Sequence, residues 1–304
     1  MSDPLALLPF AIAAGGGRLN GIAAPALVAA GVTLLQRSAP LVRALGGRRS
    51  GIMLPMGPAF LTALAASDGH EALMLDPSAS PREIGDQLGQ YDVGAVFTVP
   101  ALAPMCPMSI PCVLLDDSPK TAQLRCDEVF RTIDLGAHHG LLLEGSPEVE
   151  GLPEVCLITC DRAGRLAPGL THRQLLSSLR EATRQFGISA GDRLFIALPP
   201  SEWHRALVMT GATLRAGGTV HAVASPFDAT THDLGALRDA TRIVADASTY
   251  MALTHAIASS SPQRERATLR HALVVGPLPD LPSRVHIEHV LGGVLTPVTG
   301  ERLT

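Results

Sequence analysis

The sequence predicts an α/β fold that is made of two αβ subdomains. Short apolar segments, each long enough for one buried strand, alternate along the chain with longer segments of helical periodicity. This alternation is typical of a parallel sheet that is covered by helices on both faces. A hydrophobic content of 46% in 304 residues is enough for the core of one large domain or of two subdomains.

The first alternating set of elements precedes residue 118. A short strand is predicted at 26–28, followed by an amphipathic helix that extends to Leu45. Ser80 followed by Pro81 is a typical helix start, with the serine as the cap. The other elements predicted here are strands at 51–55, 73–75, 93–99 and 113–115 and a helix at 58–66.

The apolar pattern weakens between residues 116 and 153. Two clusters of turn-forming residues, at 116–119 and 145–147, lie in this stretch. We therefore predict an N-terminal αβ subdomain at 1–118, a linker at 119–153 and a second αβ subdomain at 154–304.

The second half of the chain shows the same alternation of predicted strands and helices as the first. Its apolar segments predict buried strands, and the segments between them have helical spacing. The predicted strands are 155–159, 194–198, 219–223, 243–245 and 273–275, and the predicted helices are 171–186, 206–215 and 234–240.

Composition and charge exclude several classes of partner. A net charge of −4 gives no electrostatic reason to expect nucleic acid or an anionic membrane surface. No apolar run reaches the ~20 residues that a membrane span needs, and Asp3 and Gly15 argue against a signal peptide. The five cysteines lack the paired spacing of a zinc site, so we expect reduced thiols in the cytoplasm.

Residues 155–173 form an apolar strand, a glycine-containing loop and a helix start. This is the layout of a phosphate cradle, in which backbone N–H groups and a cation neutralise the anion. The alternative is an ordinary strand–turn–helix whose Asp161–Arg162 turn faces solvent, and this segment alone favours that alternative.

The same segment resembles the phosphate loop of the adenylate-forming ligases, which include acyl-CoA synthetases, luciferases and nonribosomal adenylation domains. The residues that keep their places are Thr159, Gly164, Arg165 and Thr171, followed by His172. The resemblance extends through 54–66, 75–84, 188–204 and 214–228, and so covers nearly all of the chain. It implies an acyl-CoA synthetase-like N-terminal domain in which Thr159, Gly164, Arg165 and Thr171 would bind the phosphates of ATP.

The loop departs from the family pattern in ways that weaken ATP binding. Cys160, Asp161, Arg162 and Ala163 replace hydroxyl residues, and the family's lysine position falls on Leu166–Ala167. The only lysine of the chain is Lys120. Asp161 would place a carboxylate among phosphate oxygens, which costs affinity unless an arginine compensates. ATP and magnesium are therefore possible cofactors by resemblance, bound to a degenerate loop.

Trp203 and His204 match the family segment that flanks the acyl carboxylate. A neutral imidazole can donate to a carboxylate and an indole can wall an acyl tunnel. The alternative is a helix start capped by Ser201 with a half-buried tryptophan, and the sequence does not separate the two. The remaining histidines, His138 and His139 among them, are expected to be surface or capping residues.

The end of the sequence departs further from the family. Glu301 falls where the family has a metal-binding glutamate, although an exposed terminal residue is the simpler interpretation. The sequence stops three residues later, so we expect the C-terminal lid domain with its catalytic lysine to be missing. We also expect an apolar surface near 270–304 that could dock another chain.

Three functions compete. The first hypothesis is a non-catalytic accessory or scaffold that binds a protein partner in fatty or aryl acid metabolism. The alternatives are an acyl-CoA synthetase or acyl-adenylating ligase that is active alone, and one half of a split enzyme completed by a complementary ligase subunit. The sequence gives little support to a Rossmann-type nucleotide-binding protein, because the glycines at 15–17 lack the strand–loop–helix fingerprint.

Overall fold

The computed structural model describes residues 8–44, 49–67, 72–118, 120–126, 129–136, 155–160, 165–223, 231–259 and 269–298. The chain divides into two compact units. The first comprises Met1–Ala14 and Ile22–Ser177, and the second comprises Gly15–Gly21 and Ser178–Thr304. The subdomain bounds 1–118 and 154–304 stay a prediction.

An eight-stranded sheet forms the core of the first unit. Its order is β10 (Leu170–Thr171), β9 (Val155–Thr159), β4 (Ala72–Met74), β3 (Arg49–Met53), β5 (Val93–Thr98), β6 (Cys112–Leu115), β7 (Thr121–Cys126) and β8 (Val129–Asp134). The five central strands from β9 to β6 are parallel, whereas β10, β7 and β8 pair antiparallel at the two edges. The helices up to the end of β10 are α1 (Leu8–Ala13), α2 (Ala24–Ala44), α3 (Pro58–Ala66) and α4 (Pro81–Gln90), and α5 (His172–Phe186) follows β10.

The strand predicted at 26–28 is wrong, because these residues lie in the first turns of α2. The short apolar run is helical since it packs against α3, whose nine residues are all buried. Gly31 allows the close approach: a Cβ there would lie 2.4 Å from the main-chain oxygen of Thr62. A helix–helix contact decided the structure of a segment whose periodicity alone was ambiguous.

The helix start predicted at Ser80 is confirmed as the start of α4. The Ser80 hydroxyl accepts a hydrogen bond from the main-chain N–H of Glu83, and the Glu83 carboxylate accepts one from the N–H of Ser80. Such a capping box satisfies two amides that have no partner inside the helix. Only Ile84 and Leu88, one turn apart, are buried on this helix.

Part of the predicted linker at 119–153 is instead a β-hairpin. Strands β7 and β8 pair with one another, and β7 also pairs with β6, which extends the sheet to its edge. The apolar pattern is weak here because an edge hairpin has many exposed positions. The first four residues of β7 alternate between exposed and buried, and Ile133 is the one buried residue of β8. Residues 137–154 lie outside the described part of the chain.

The second sheet has seven strands, six of which belong to the second unit, whereas the strand Ile22–Ala23 belongs to the first. Its order is β15 (Leu295–Val298), β14 (His271–Val275), β13 (Arg242–Asp246), β11 (Arg193–Ala197), β12 (Thr219–Ala222), β1 (Arg18–Leu19) and β2 (Ile22–Ala23). The pairs from β15 to β1 are parallel. The helices of this part of the chain are α6 (Trp203–Arg215), α7 (Thr231–Asp239), α8 (Ala247–Ser259) and α9 (Leu281–Leu291).

Two helices, α8 and α9, were not predicted, although each has a local start signal. The Asp246 carboxylate accepts from the N–H of Thr249 at the start of α8, and Asp280 caps α9 by accepting from Ser283. Gly292, with φ of 68°, ends α9 in the left-handed conformation that favours glycine. No helix in the described ranges combines the length and apolar character needed to cross a membrane.

A buried ion pair joins the amino-terminal ends of the central strands in the second unit. Asp192 and Arg242 are 0% and 2% exposed, and the Nε of Arg242 lies 3.0 Å from Oδ1 of Asp192. The other carboxylate oxygen accepts from the N–H and hydroxyl of Ser189, and the Thr241 hydroxyl donates to Oδ1. Burial opposes ionisation of Asp192, but these donors outweigh it and lower its pKa.

We predict that Asp192→Ala lowers the free energy of unfolding by about 3–5 kcal/mol, because it leaves the buried guanidinium of Arg242 without its counter-charge. Urea denaturation followed by circular dichroism measures the change. The matched control is Glu181→Ala, which breaks an exposed pair with Arg184 and should change the urea midpoint little. Equal losses in the two variants would contradict the role assigned to the buried pair.

Candidate functional site

The predicted phosphate loop begins at the carboxyl end of β9. Thr159, the last residue of β9, lies in register with Met74 at the end of β4, and Met74 in turn pairs with Ile52 of β3. These strands are parallel, so their loops emerge at one edge of the sheet. Open α/β sheets bind ligands at this edge.

The residues on either side of the predicted loop pair with one another in antiparallel fashion. Cys160 and Leu166 form an antiparallel bridge, and the N–H of Ala167 donates to the Thr159 carbonyl at 2.8 Å. Strand β10 then runs back along β9, with Leu170 opposite Leu157. Residues 161–164, including Gly164 and the substituted Asp161, Arg162 and Ala163, lie outside the described residues.

Gly169 allows the returning chain to pack closely on β9. A Cβ at this position would lie 2.4 Å from Cγ1 of Val155 and 3.1 Å from Cγ2 of Ile158. Both contacts are with β-branched side chains, which have little freedom to move. The hairpin therefore depends on a glycine at its base.

Thr171 serves as the cap of α5. Its hydroxyl accepts from the N–H of Gln174 at 3.1 Å, and its own N–H donates to Oε1 of Gln174 at 2.9 Å. This reciprocal pair satisfies amides at the helix start, which are the groups that bind phosphate in anion sites. The hydroxyl expected to bind ATP is thus engaged within the fold.

His172 packs inside the first unit. Its side chain is 4% exposed, and Nδ1 accepts a hydrogen bond from the N–H of Leu8 at 3.1 Å. Because Nδ1 accepts, a neutral imidazole carries its proton on Nε2. His172, the residue that follows Thr171 in the family pattern, thus connects the start of α5 to the start of α1 by a hydrogen bond.

Arg165 is the one cation of the loop within the described residues, and it is exposed. No group of three or more potential metal-ligating side chains occurs in the described ranges, and Glu301 lies outside them. One cation and a capped helix start do not fit a polyphosphate as the described residues stand.

Trp203 and His204 are the first two residues of α6. They follow β11 through a short 3-10 turn at Pro200–Glu202, which brings them near the carboxyl end of that strand. Both side chains are half-buried, and their rings meet edge to face with centroids 5.7 Å apart.

The cap expected at Ser201 is absent, and this part of the alternative interpretation is wrong. The helix is preceded by Glu202, which makes no side-chain cap bond and instead pairs with Arg205 one turn on. Burial, and then the charge of Arg205, lower the pKa of His204. The imidazole is therefore neutral at pH 7 and offers one donor and one acceptor.

The structure also contains a histidine–aspartate pair that the sequence did not reveal. Nε2 of His221 lies 2.6 Å from Oδ1 of Asp233, and the His221 ring stacks on Phe195 of the neighbouring strand with centroids 5.6 Å apart. His221 is on β12 and Asp233 is on α7, so the contact attaches this helix to the sheet. No local pattern signals a pair formed by the packing of α7 onto β12.

Solved structures of larger proteins share this fold. The nonribosomal peptide synthetase FmoA3, bound to α-methyl-L-serine-AMP, matches with a TM-score of 0.67 and 16% identity over 96% of this chain and 32% of that chain. Amide bond synthetase McbA from Marinactinospora thermotolerans matches with a TM-score of 0.67 and 18% identity over 97% of this chain and 59% of that chain. The o-succinylbenzoate CoA synthetase from Bacillus subtilis matches with a TM-score of 0.66 and 17% identity over 98% of this chain and 60% of that chain.

These neighbours are adenylate-forming enzymes, and the chain has the fold of their N-terminal domain. The resemblance and the fold class predicted from the sequence are thus confirmed at the level of the fold. The chain spans 32% to 60% of the length of these proteins. No protein-family model matches the chain, and no curated protein matches it in sequence.

We predict that Gly169→Ala destabilises the protein by about 1–3 kcal/mol, because its Cβ would overlap Val155 and strain the hairpin. The matched control is Gly191→Ala, since a Cβ there meets nothing within 4 Å. Thermal and urea denaturation compare the two variants. If Gly169→Ala has the same free energy of unfolding as the native chain, β10 does not pack against β9 in the manner described.

Proposed function

We propose, from the fold that this chain shares with the N-terminal domain of adenylate-forming enzymes, that it binds a carboxylic acid and does not form an adenylate by itself. In this proposal it acts as an accessory or scaffold for a protein partner in fatty or aryl acid metabolism. It retains the ligand edge of the fold but has lost the groups that handle ATP.

The observation that carries the proposal is the state of the loop after β9. The Thr171 hydroxyl accepts from the N–H of Gln174 in the first turn of α5, and the Gln174 side chain accepts from the N–H of Thr171. Among the described residues of the loop, Arg165 is the one cation. The sequence adds that no lysine occurs in the loop. Adenylation requires positioned cations for the charge that develops at the α-phosphate, so the loss of these groups argues against catalysis by the chain alone.

The proposed carboxylate site lies beside Trp203 and His204. A neutral, half-buried imidazole can donate its N–H to a carboxylate oxygen without a competing charge of its own. The neighbouring indole offers an apolar wall for an acyl or aryl group, with its N–H available to a polar atom. Their place after the carboxyl end of β11 supports the assignment, since ligands bind at this edge in α/β sheets.

An exposed apolar surface on α9 supports a protein partner. Leu281 and Val285, one turn apart, are 71% and 57% exposed, and Val294 after the helix is 66% exposed. The adjacent strand β15 is at the end of its sheet among the described strands. Exposed apolar side chains beside a sheet edge are suited to docking another chain, in line with the surface expected near 270–304.

The second candidate is one half of a split ligase, in which a complementary subunit supplies the cations and the lid. The fold that the chain shares with adenylate-forming enzymes supports it. Activity that appears only when a partner chain is added would distinguish it from a scaffold. In either case we place the protein in the cytoplasm, because its five cysteines form no disulfide in the structure.

The proposed site can be tested by fluorescence, because Trp203 is the sole tryptophan of the chain. Titration with aliphatic and aryl carboxylic acids and with acyl-CoAs should give a saturable change with at least one class. His204→Ala should weaken the response about tenfold or more, as expected for the loss of a hydrogen bond to a charged group.

The matched control is His255→Ala, which removes an exposed histidine on α8 and should leave the titration unchanged. No response to either class of ligand, or equal responses of His204→Ala and the native chain, would overturn the proposed site.

A further inference from the structure

Two cysteines and an arginine form a buried cluster in the first unit, at the amino-terminal end of β6. Cys112 begins β6, and Arg125 lies directly opposite it on β7. Cys106 immediately follows a short 3-10 helix, Ala103–Met105, that precedes β6. Their exposed fractions are 0% for Cys112, 6% for Arg125 and 4% for Cys106. The cluster lies at the amino-terminal end of β6, whereas the loop after β9 lies at the carboxyl end of the parallel strands.

The guanidinium of Arg125 points at the thiol. Its Nη2 donates to Sγ of Cys112 at 3.0 Å and its Nη1 donates to the Ala103 carbonyl at 3.1 Å, while Nε has no hydrogen-bond partner. No carboxylate forms an ion pair with Arg125 among the described residues. A buried charge without a counter-charge costs several kcal/mol, so the cluster needs an anion.

Cys112 is the ionisable acid that can supply this anion. The contact with the Cys106 thiol, and then the charge and hydrogen bond of Arg125, lower the pKa of Cys112 against the opposing effect of burial. The same thiol–thiol contact and burial raise the pKa of Cys106. The contacts therefore favour ionisation at Cys112 rather than at Cys106, whose main-chain N–H donates to the same Ala103 carbonyl that Arg125 binds.

We propose that Cys112 and Cys106 form a peroxide-reactive dithiol, in which Arg125 holds Cys112 as a thiolate and Cys106 completes a reversible intrachain disulfide. The substrate class is a small hydroperoxide, since only a small oxidant can reach a buried thiolate. This activity is independent of the carboxylate binding proposed above.

The chemistry balances in two steps. The Cys112 thiolate attacks one oxygen of hydrogen peroxide, the O–O bond breaks, and hydroxide leaves and takes up a proton, which yields Cys112 sulfenic acid and water. The Cys106 thiol then attacks the sulfenic sulfur, the S–O bond breaks and a second water leaves. Overall, two thiols are oxidised to one disulfide and one peroxide is reduced to two waters.

The experiment treats the purified full chain with hydrogen peroxide and maps its cysteines by peptide mass spectrometry. The expected product is a Cys106–Cys112 disulfide that dithiothreitol reverses. Cys106→Ser should stop the reaction at the sulfenic acid of Cys112, which dimedone traps. Cys156, whose pKa burial raises to about 12 and which has no neighbouring arginine contact, serves as the internal control and should stay reduced.

Arg125→Met tests the role of the cation, because it replaces the buried guanidinium with an apolar side chain of similar length. Oxidation of Cys112 should become roughly tenfold slower or more, since the thiolate fraction falls as the pKa rises. Arg131→Met, on the exposed face of β8, is the matched control. Oxidation that falls on Cys126 or Cys160 while Cys106 and Cys112 stay unlinked, or an unchanged rate in Arg125→Met with a native circular dichroism spectrum, would overturn the proposal.

Discussion

The geometry of the second unit depends on the hydrogen bonds and the ion pair of one buried residue, Asp192. Its oxygens take bonds from Ser189 before β11 and contacts from Thr241 and Arg242 at the start of β13, and its main-chain oxygen accepts the N–H of Thr219 at the start of β12. One buried residue thus joins the amino-terminal ends of three parallel strands. Because these ends are fixed, the carboxyl end of β11 is fixed as well, and with it the position of Trp203 and His204.

In the first unit, the polar groups around the loop after β9 serve the packing of the fold. The hairpin after β9 keeps the position that a phosphate loop has at the carboxyl edge of a parallel sheet. Its polar groups, however, bond to one another: Thr171 caps α5, and the chain closes on β9 through Ala167 and Gly169. The groups that a phosphate would need at this helix start are thus used within the fold itself.

The parallel strands could be predicted from the sequence because they are buried on both faces and are therefore continuous apolar runs. Helix α4 could be predicted because Ser80 and Glu83 form a local capping motif. The hairpin of β7 and β8 could not, since an edge hairpin carries exposed residues and weak alternation. The candidate residues Trp203 and His204 were found through a local segment. The pairs His221–Asp233 and Cys112–Arg125 were not, because each joins residues that meet only when a helix packs on a strand or when two strands take their register.

The central claim is that the chain keeps the fold of an adenylate-forming enzyme without adenylating activity of its own. The most direct measurement is pyrophosphate release from ATP by the purified chain, with magnesium and a panel of aliphatic and aryl carboxylic acids and no added subunit. Each lost contribution to transition-state charge stabilisation costs about 10²–10³ in rate, so the account predicts release no faster than the background without protein. Release at ordinary enzyme rates of about 1–10³ per second would contradict it.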